Sequence, residues 1–164
     1  MRRLILALIV LAFGSDLWAQ QAGQVGAGMI IGNPFGLTAK YWMNDTQAID
    51  AGVGFGSPTL FADFLWNSWT VLPQPSQGKL GGYLGAGPEI DTEHWNNEHR
   101  DADHRDTNIG IRTLAGINYW TAGYPIEFFL EAGPVFQLGS DSNVDVDAAL
   151  GVRFYLGPGT TAKK

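Results

Sequence analysis

The chain has 164 residues, carries 16 Asp plus Glu against 10 Lys plus Arg, and contains no cysteine. A formal net charge of −6 excludes a nucleic-acid-binding protein, because such proteins need a basic footprint. The lack of cysteine excludes disulfide bonds, so an exported chain of this length must be stabilised by a large core or by a membrane.

The first nineteen residues have the pattern of a secretory signal peptide. Arg2 and Arg3 precede an apolar run from Leu4 to Phe13, and the segment ends on the small residue Ala19. This run is shorter than the roughly 20 residues that a membrane-spanning helix needs. We therefore predict export and cleavage after Ala19. Cleavage removes two arginines and one aspartate, which leaves 8 basic against 15 acidic residues and a mature charge of −7.

After the signal peptide, short strand-like stretches alternate with turn signals rich in Gly, Pro, Asn and Asp. The longest connection between them is 91–107. The sequence contains eight such stretches, which is an even number and the smallest number of strands known for outer-membrane barrels. The predicted strands, in chain order, are Gln24–Gly32, Leu37–Met43, Ala48–Phe55, Thr59–Val71, Lys79–Ile90, Asn108–Trp120, Ile126–Leu138 and Val144–Leu156.

The residues on the two faces of these strands differ sharply. In the last strand, one face carries Val, Ala, Leu and Phe from Val144 to Leu156, and the other carries Asp145, Asp147, Gly151 and Arg153. A soluble sandwich would cover its polar face with many Lys, Glu, Ser and Thr. We therefore predict that residues 20–156 form an all-β, eight-stranded antiparallel up-and-down transmembrane β-barrel, followed by a tail at 157–164. A soluble periplasmic, lipocalin-like binding barrel is the alternative.

Aromatic residues cluster where the even-numbered strands end. If both termini are periplasmic, these ends lie at the periplasmic rim, where Trp and Tyr form interfacial girdles. The pattern predicts such a girdle from Tyr41-Trp42, Trp66 and Trp69, Tyr119-Trp120, and Phe154-Tyr155.

Nearly all of the mature chain resembles a family of small, poorly characterised bacterial outer-membrane barrels, similar in architecture to the OmpA-type transmembrane domain. The resemblance implies a Gram-negative outer-membrane location, contact with lipid and lipopolysaccharide, and insertion by the barrel-assembly machinery. Members usually stop on a terminal aromatic residue, whereas this chain continues past Leu156 to Lys164. The residues that carry the resemblance are Gly32–Trp42, Ala48–Asp50, Leu60–Trp66, Gly110–Arg112, Gly116–Tyr119, Pro125–Pro134 and Gly151–Tyr155.

Charged residues on the inward face form the main candidate site. An eight-stranded lumen is just wide enough for side chains, so opposed charges there predict a salt-bridged plug, with Arg153 coupled to Glu131. A plugged barrel favours a structural or surface-interaction role with an unidentified extracellular partner. A narrow, porin-like ion or solute channel is the alternative. The seven residues are Lys40, Asp50, Asp63, Arg112, Glu127, Glu131 and Arg153.

The three histidines, His94, His99 and His104, all fall in the connection 91–107. Their spacing of five residues brings them together on neither a strand nor a helix. We expect a solvated acidic loop, with weak divalent-cation binding as the alternative. No histidine falls on a predicted strand, and Glu127 and Glu131 would be closed to substrate. We therefore predict neither enzymatic activity nor a cofactor.

Overall fold

The computed structural model describes residues 22–55, 58–94, 105–138 and 143–156. The predicted signal peptide and the tail at 157–164 lie outside these ranges. All regular structure in them is β. The strands are β1 (Val25–Asn33), β2 (Gly36–Trp42), β3 (Gln47–Gly54), β4 (Thr59–Ser68), β5 (Lys79–His94), β6 (Arg105–Trp120), β7 (Ile126–Leu138) and β8 (Val144–Leu156).

The eight strands form one closed barrel in chain order. Each strand pairs antiparallel with the next, and β1 closes on β8 with Val25 opposite Leu156 and Asn33 opposite Ala148. Closure leaves the sheet without an exposed edge that could pair with another chain. The predicted eight-stranded up-and-down barrel is therefore confirmed. Within the described ranges, no helix is long and apolar enough to cross a membrane.

Apolar and polar residues that alternate along each strand lie alternately on the outer wall and in the interior of the barrel. In β8, Leu150 is 52% exposed, whereas Arg153 is fully buried in the barrel interior. The same pattern recurs around the barrel, so its outer surface is apolar and its interior is charged. Large apolar side chains exposed on the outer face include Met29, Leu37, Ile49, Leu60, Leu84, Ile111, Ile117, Phe128, Leu130 and Val146.

Glycines facing the lumen make room for aromatic rings on the neighbouring strand. Four such glycines each lie directly opposite a Tyr or Phe in the strand register. A Cβ atom on Gly116, for example, would lie 2.3 Å from Cζ of Tyr83. The narrow interior can therefore hold large rings only because the opposite residues lack side chains. The pairs are Gly26–Tyr155, Gly52–Phe61, Gly116–Tyr83 and Gly151–Phe129.

The predicted connection 91–107 is too long at both ends. Strand β5 continues to His94 and β6 begins at Arg105, and Asp91 to His94 pair in register with Arg105 to Asn108. His94 therefore lies on a strand, which contradicts the expectation that no strand carries a histidine. Strand β4, in contrast, ends at Ser68 and not at Val71.

The predicted aromatic girdle is only partly correct. Trp66 and Phe154 face outward, but Trp42, Trp120 and Tyr155 are buried inside the barrel. They are buried because they have the same strand parity as the inward charges; Trp42, for instance, lies two residues after Lys40.

Candidate functional site in the barrel lumen

The lumen has two ends, which we name by what lies there. The loop end carries the connections β1–β2, β3–β4, β5–β6 and β7–β8, and the terminal end carries β1's start and β8's finish. The structure places all seven predicted charges between these ends, none of them more than 2% exposed. Two further acidic residues outside the predicted set of seven, Glu89 and Asp147, are buried with them. Both occupy inward-facing positions in the alternation of their strands, so the sequence pattern could have predicted their burial.

Four of the charges form a cluster nearer the terminal end, here called the terminal cluster: Lys40, Asp50, Glu127 and Arg153. Lys40 Nζ donates to Glu127 Oε1 at 2.9 Å. Arg153 donates to Glu127 Oε2 at 3.4 Å through Nη1 and to Asp50 through Nη2. Two cations and two anions make the terminal cluster neutral.

Neutral side chains complete the hydrogen bonding of the terminal cluster. The Tyr155 hydroxyl donates to Glu127 Oε2 at 2.5 Å, and Asn118 Nδ2 donates to Oε1 at 3.0 Å. The Thr38 hydroxyl donates to Asp50 at 2.6 Å and accepts from Arg153 Nε at 3.1 Å. Each charged side chain of the terminal cluster thus has at least one hydrogen-bond partner, and such a buried network is rigid.

The second group, here called the Arg112 cluster, lies nearer the loop end and is strongly acidic. Arg112 Nη2 donates to Glu131 Oε1 at 2.6 Å, and Tyr83 donates to the other oxygen of Glu131 at 2.7 Å. The other three acids approach Arg112 nitrogens only to 3.7–3.8 Å, too far for hydrogen bonds. One guanidinium thus faces four carboxyl groups, those of Asp63, Glu89, Glu131 and Asp147.

The predicted coupling of Arg153 to Glu131 is wrong. Glu131 pairs with Arg112, and Arg153 pairs with Asp50 and Glu127. The register explains the difference, because Arg153 lies directly opposite Glu127 on β7, whereas Glu131 lies opposite Ala149.

The two ends of the lumen are filled differently. At the terminal end, aromatic rings pack against one another, with centroid distances of 5.9 Å for Trp42–Trp69, 6.2 Å for Trp42–Trp120 and 4.3 Å for Trp120–Tyr155. At the loop end there is a cavity of about 290 Å³ lined mainly by polar side chains. The lumen is therefore packed at one end and hollow at the other.

Direct metal ligation has no preformed site in the parts of the chain that the structure describes. No group of three or more His, Asp or Glu there is arranged to hold a metal ion. His99 and His104 lie outside the described residues, as does the side chain of His94. Cation binding by the 91–107 connection therefore stays a prediction.

Comparison with known proteins identifies the fold. No family model and no curated protein matches the sequence. Among solved structures, the N-terminal β-barrel domain of Pseudomonas aeruginosa OprF is similar, with a TM-score of 0.62 and 18% sequence identity. The match covers 83% of this chain and 99% of that domain. The barrel therefore has the OmpA-like eight-stranded fold that the resemblance of the sequence implied.

Proposed function

We propose that the mature protein is an outer-membrane β-barrel with a structural or surface-interaction role and a closed lumen. The observation that carries this proposal is the inversion of the barrel, with apolar side chains outside and charges inside. Soluble monomers rarely expose contiguous apolar patches larger than a few hundred Å². Here apolar residues from all eight strands cover the wall, and lipid is the solvent that suits them.

The OmpA-like fold supports the same location. In this topology both termini are periplasmic, the loop end faces outward, and the outer wall contacts lipid and lipopolysaccharide. The barrel-assembly machinery would insert the chain. The loop end would be the surface available to an extracellular partner.

A closed lumen is favoured over a narrow channel by the terminal cluster and the rings beside it. The cluster is neutral, buried and hydrogen-bonded, so opening a path would separate ion pairs in a low-dielectric interior. The same packing argues against catalysis by Glu127 and Glu131, because both carboxylates are already bound by lumen side chains. We therefore propose a role without enzymatic activity.

The location is tested by expressing the full chain in a Gram-negative host and fractionating the envelope. We expect the mature protein in the outer-membrane fraction, soluble only with detergent, and migrating anomalously on a gel until boiled. Recovery as a detergent-free monomer from the periplasm would favour the lipocalin-like alternative.

The substitution Leu150→Arg separates the two alternatives further. In a lipid-facing wall, this change should lower the free energy of unfolding by about 2–4 kcal/mol if Leu150 lies near the midplane. On a water-exposed surface it should change it by less than about 0.5 kcal/mol. Urea unfolding of the folded protein in lipid vesicles measures the difference. Asp45→Asn, in the exposed turn after β2, is the matched control.

A further inference from the structure

We propose that the cavity at the loop end, here called the acidic chamber, binds a hydrated divalent cation, with Mg²⁺ as the fitting ion. Four carboxylates line the chamber, from Glu89, Asp91, Asp145 and Asp147, and no Lys or Arg is among its described lining residues. The inference goes beyond the proposed function. The chamber lies inside the barrel wall, so its chemistry is the same whichever solvent surrounds that wall.

Three of these carboxylates are held in place by neutral donors. Asn33 Nδ2 donates to Asp147 Oδ1 at 2.7 Å, and Gln137 Nε2 donates to Asp145 Oδ2 at 2.5 Å. The Thr59 hydroxyl donates to Asp91 Oδ1 at 3.1 Å. Neutral donors orient the carboxylates but leave their negative charge in place.

Each of the two buried acids of the chamber has one oxygen without a hydrogen-bond donor. Glu89 is 7% exposed and Asp147 is 4% exposed. Glu89 Oε2 and Asp147 Oδ2 accept no hydrogen bond from any described residue. Their nearest cationic atom is Nη1 of Arg112, 3.8 Å from each.

Arg112 cannot compensate both of these carboxylates. Its guanidinium already donates to Glu131 at 2.6 Å and also faces Asp63. Buried carboxyl groups keep their negative charge only where a counter-charge lies nearby, and otherwise bind a proton. A cation in the acidic chamber would supply this counter-charge through space, because the two unpartnered oxygens are themselves closed to solvent.

The four carboxylates of the lining favour a hard cation, and the spacing between them favours a hydrated one. Ca²⁺ takes six to eight direct oxygen ligands, whereas Mg²⁺ usually keeps several of its waters. The described acids are not grouped for direct ligation, so water must lie between them and the ion. Six waters occupy about 180 Å³ at roughly 30 Å³ each, which is compatible with a chamber of about 290 Å³.

The test is calorimetric titration of the mature, detergent-folded barrel with MgCl₂ at constant ionic strength. We expect saturable binding that hexaamminecobalt(III) displaces, because this inert ion binds only through its outer shell. The double variant Glu89→Gln/Asp147→Asn should bind Mg²⁺ at least about tenfold more weakly. Asp45→Asn, which removes one exposed acid at the opposite end, should bind as the wild type does.

Three outcomes would overturn the proposal: no saturable Mg²⁺ binding, unchanged affinity in the double variant, or no displacement by hexaamminecobalt(III). A triple variant, His94→Ala/His99→Ala/His104→Ala, separates the chamber from the histidine-containing connection and should keep wild-type affinity; loss of binding would also overturn the proposal. If the double variant does not migrate as a folded barrel, the half-buried Asp145→Asn replaces it. This variant should bind about threefold more weakly, and unchanged affinity would count against the chamber.

Discussion

Glu127 accepts hydrogen bonds from four side chains, those of Lys40, Asn118, Arg153 and Tyr155. No water is needed to satisfy either of its oxygens. A carboxylate in this position organises the terminal cluster, because both of the cluster's cations depend on it. A substitution of this residue therefore affects both cations at once.

We expect Glu127→Gln to lower the free energy of unfolding by about 3–5 kcal/mol. The change leaves Lys40 and Arg153 with Asp50 as the only remaining anion of the terminal cluster. Urea unfolding in lipid vesicles measures the loss, with Asp45→Asn as the control at less than about 0.5 kcal/mol. A loss no larger than the control's would show that the buried pairs contribute little.

A pair of double-mutant cycles tests which charges interact. Arg112→Met and Glu131→Gln should be coupled by about 0.5–3 kcal/mol, because the two residues share a 2.6 Å hydrogen bond. Arg153→Met and Glu131→Gln should be additive within about 0.5 kcal/mol. The reverse result would restore the pairing that we predicted from the sequence and rejected on the structure.

Strand parity was enough to predict the inward position of individual charges, but not their partners. Lys40 lies on β2 and Glu127 on β7, and these strands are not neighbours in the sheet. Which side chains meet across the lumen depends on the tilt and stagger of the closed barrel, and no local pattern encodes them. Parity also placed Trp42 inside. The girdle prediction used only the position of Trp42 at a strand end, and for that reason it was wrong for this residue.

At the level of strands, the glycine–aromatic pairs connect neighbouring elements. The ring of Tyr83 on β5 lies over Gly116 on β6, and its hydroxyl reaches Glu131 on β7. One aromatic side chain therefore links three consecutive strands through the interior. Its position depends on the missing side chain at residue 116.

We expect Gly116→Ala to destabilise the barrel by about 1–3 kcal/mol, because the new Cβ would displace the Tyr83 ring. Ala115→Val, one residue earlier and facing outward, adds more volume but should be nearly neutral. Equal effects of the two substitutions in vesicle unfolding experiments would show that the interior tolerates the extra methyl group.

The eight strands were predictable because their outward positions are apolar over most of their length. Beyond Ile90 the sequence turns polar, so hydrophobic alternation no longer marks a strand. Backbone pairing nevertheless continues to His94. Main-chain hydrogen bonds between two strands do not depend on an apolar face. The β5–β6 hairpin can therefore continue beyond the apolar part of the barrel wall.

For the whole molecule, the inversion of the barrel places tryptophans of the described strands in opposite environments. Trp66 is 51% exposed on the outer wall, whereas Trp42 and Trp120 are buried in the lumen. In vesicles with brominated acyl chains, we expect strong quenching of tryptophan fluorescence. Trp66→Phe should remove much of it, and Trp42→Phe should leave it nearly unchanged. Equal loss in both variants would contradict the proposed lipid-facing wall.

The packing of the terminal end predicts electrical behaviour. Water-filled porins use about 16–18 strands, so purified wild-type protein in planar bilayers should show no steady porin-sized current. Arg153→Ala should make small openings more frequent than Arg112→Ala does, because Arg153 belongs to the packed terminal cluster. Large, stable, voltage-independent channels from the wild type would assign the protein to passive transport.

The separation of apolar outside from charged inside also has an evolutionary consequence. An outward residue such as Leu150 needs only to be apolar, so it can drift among many side chains without any change in its neighbours. An inward pair such as Lys40 and Glu127 can change only together. Descendants of one ancestral barrel therefore lose sequence similarity quickly over half of every strand while they keep the same architecture.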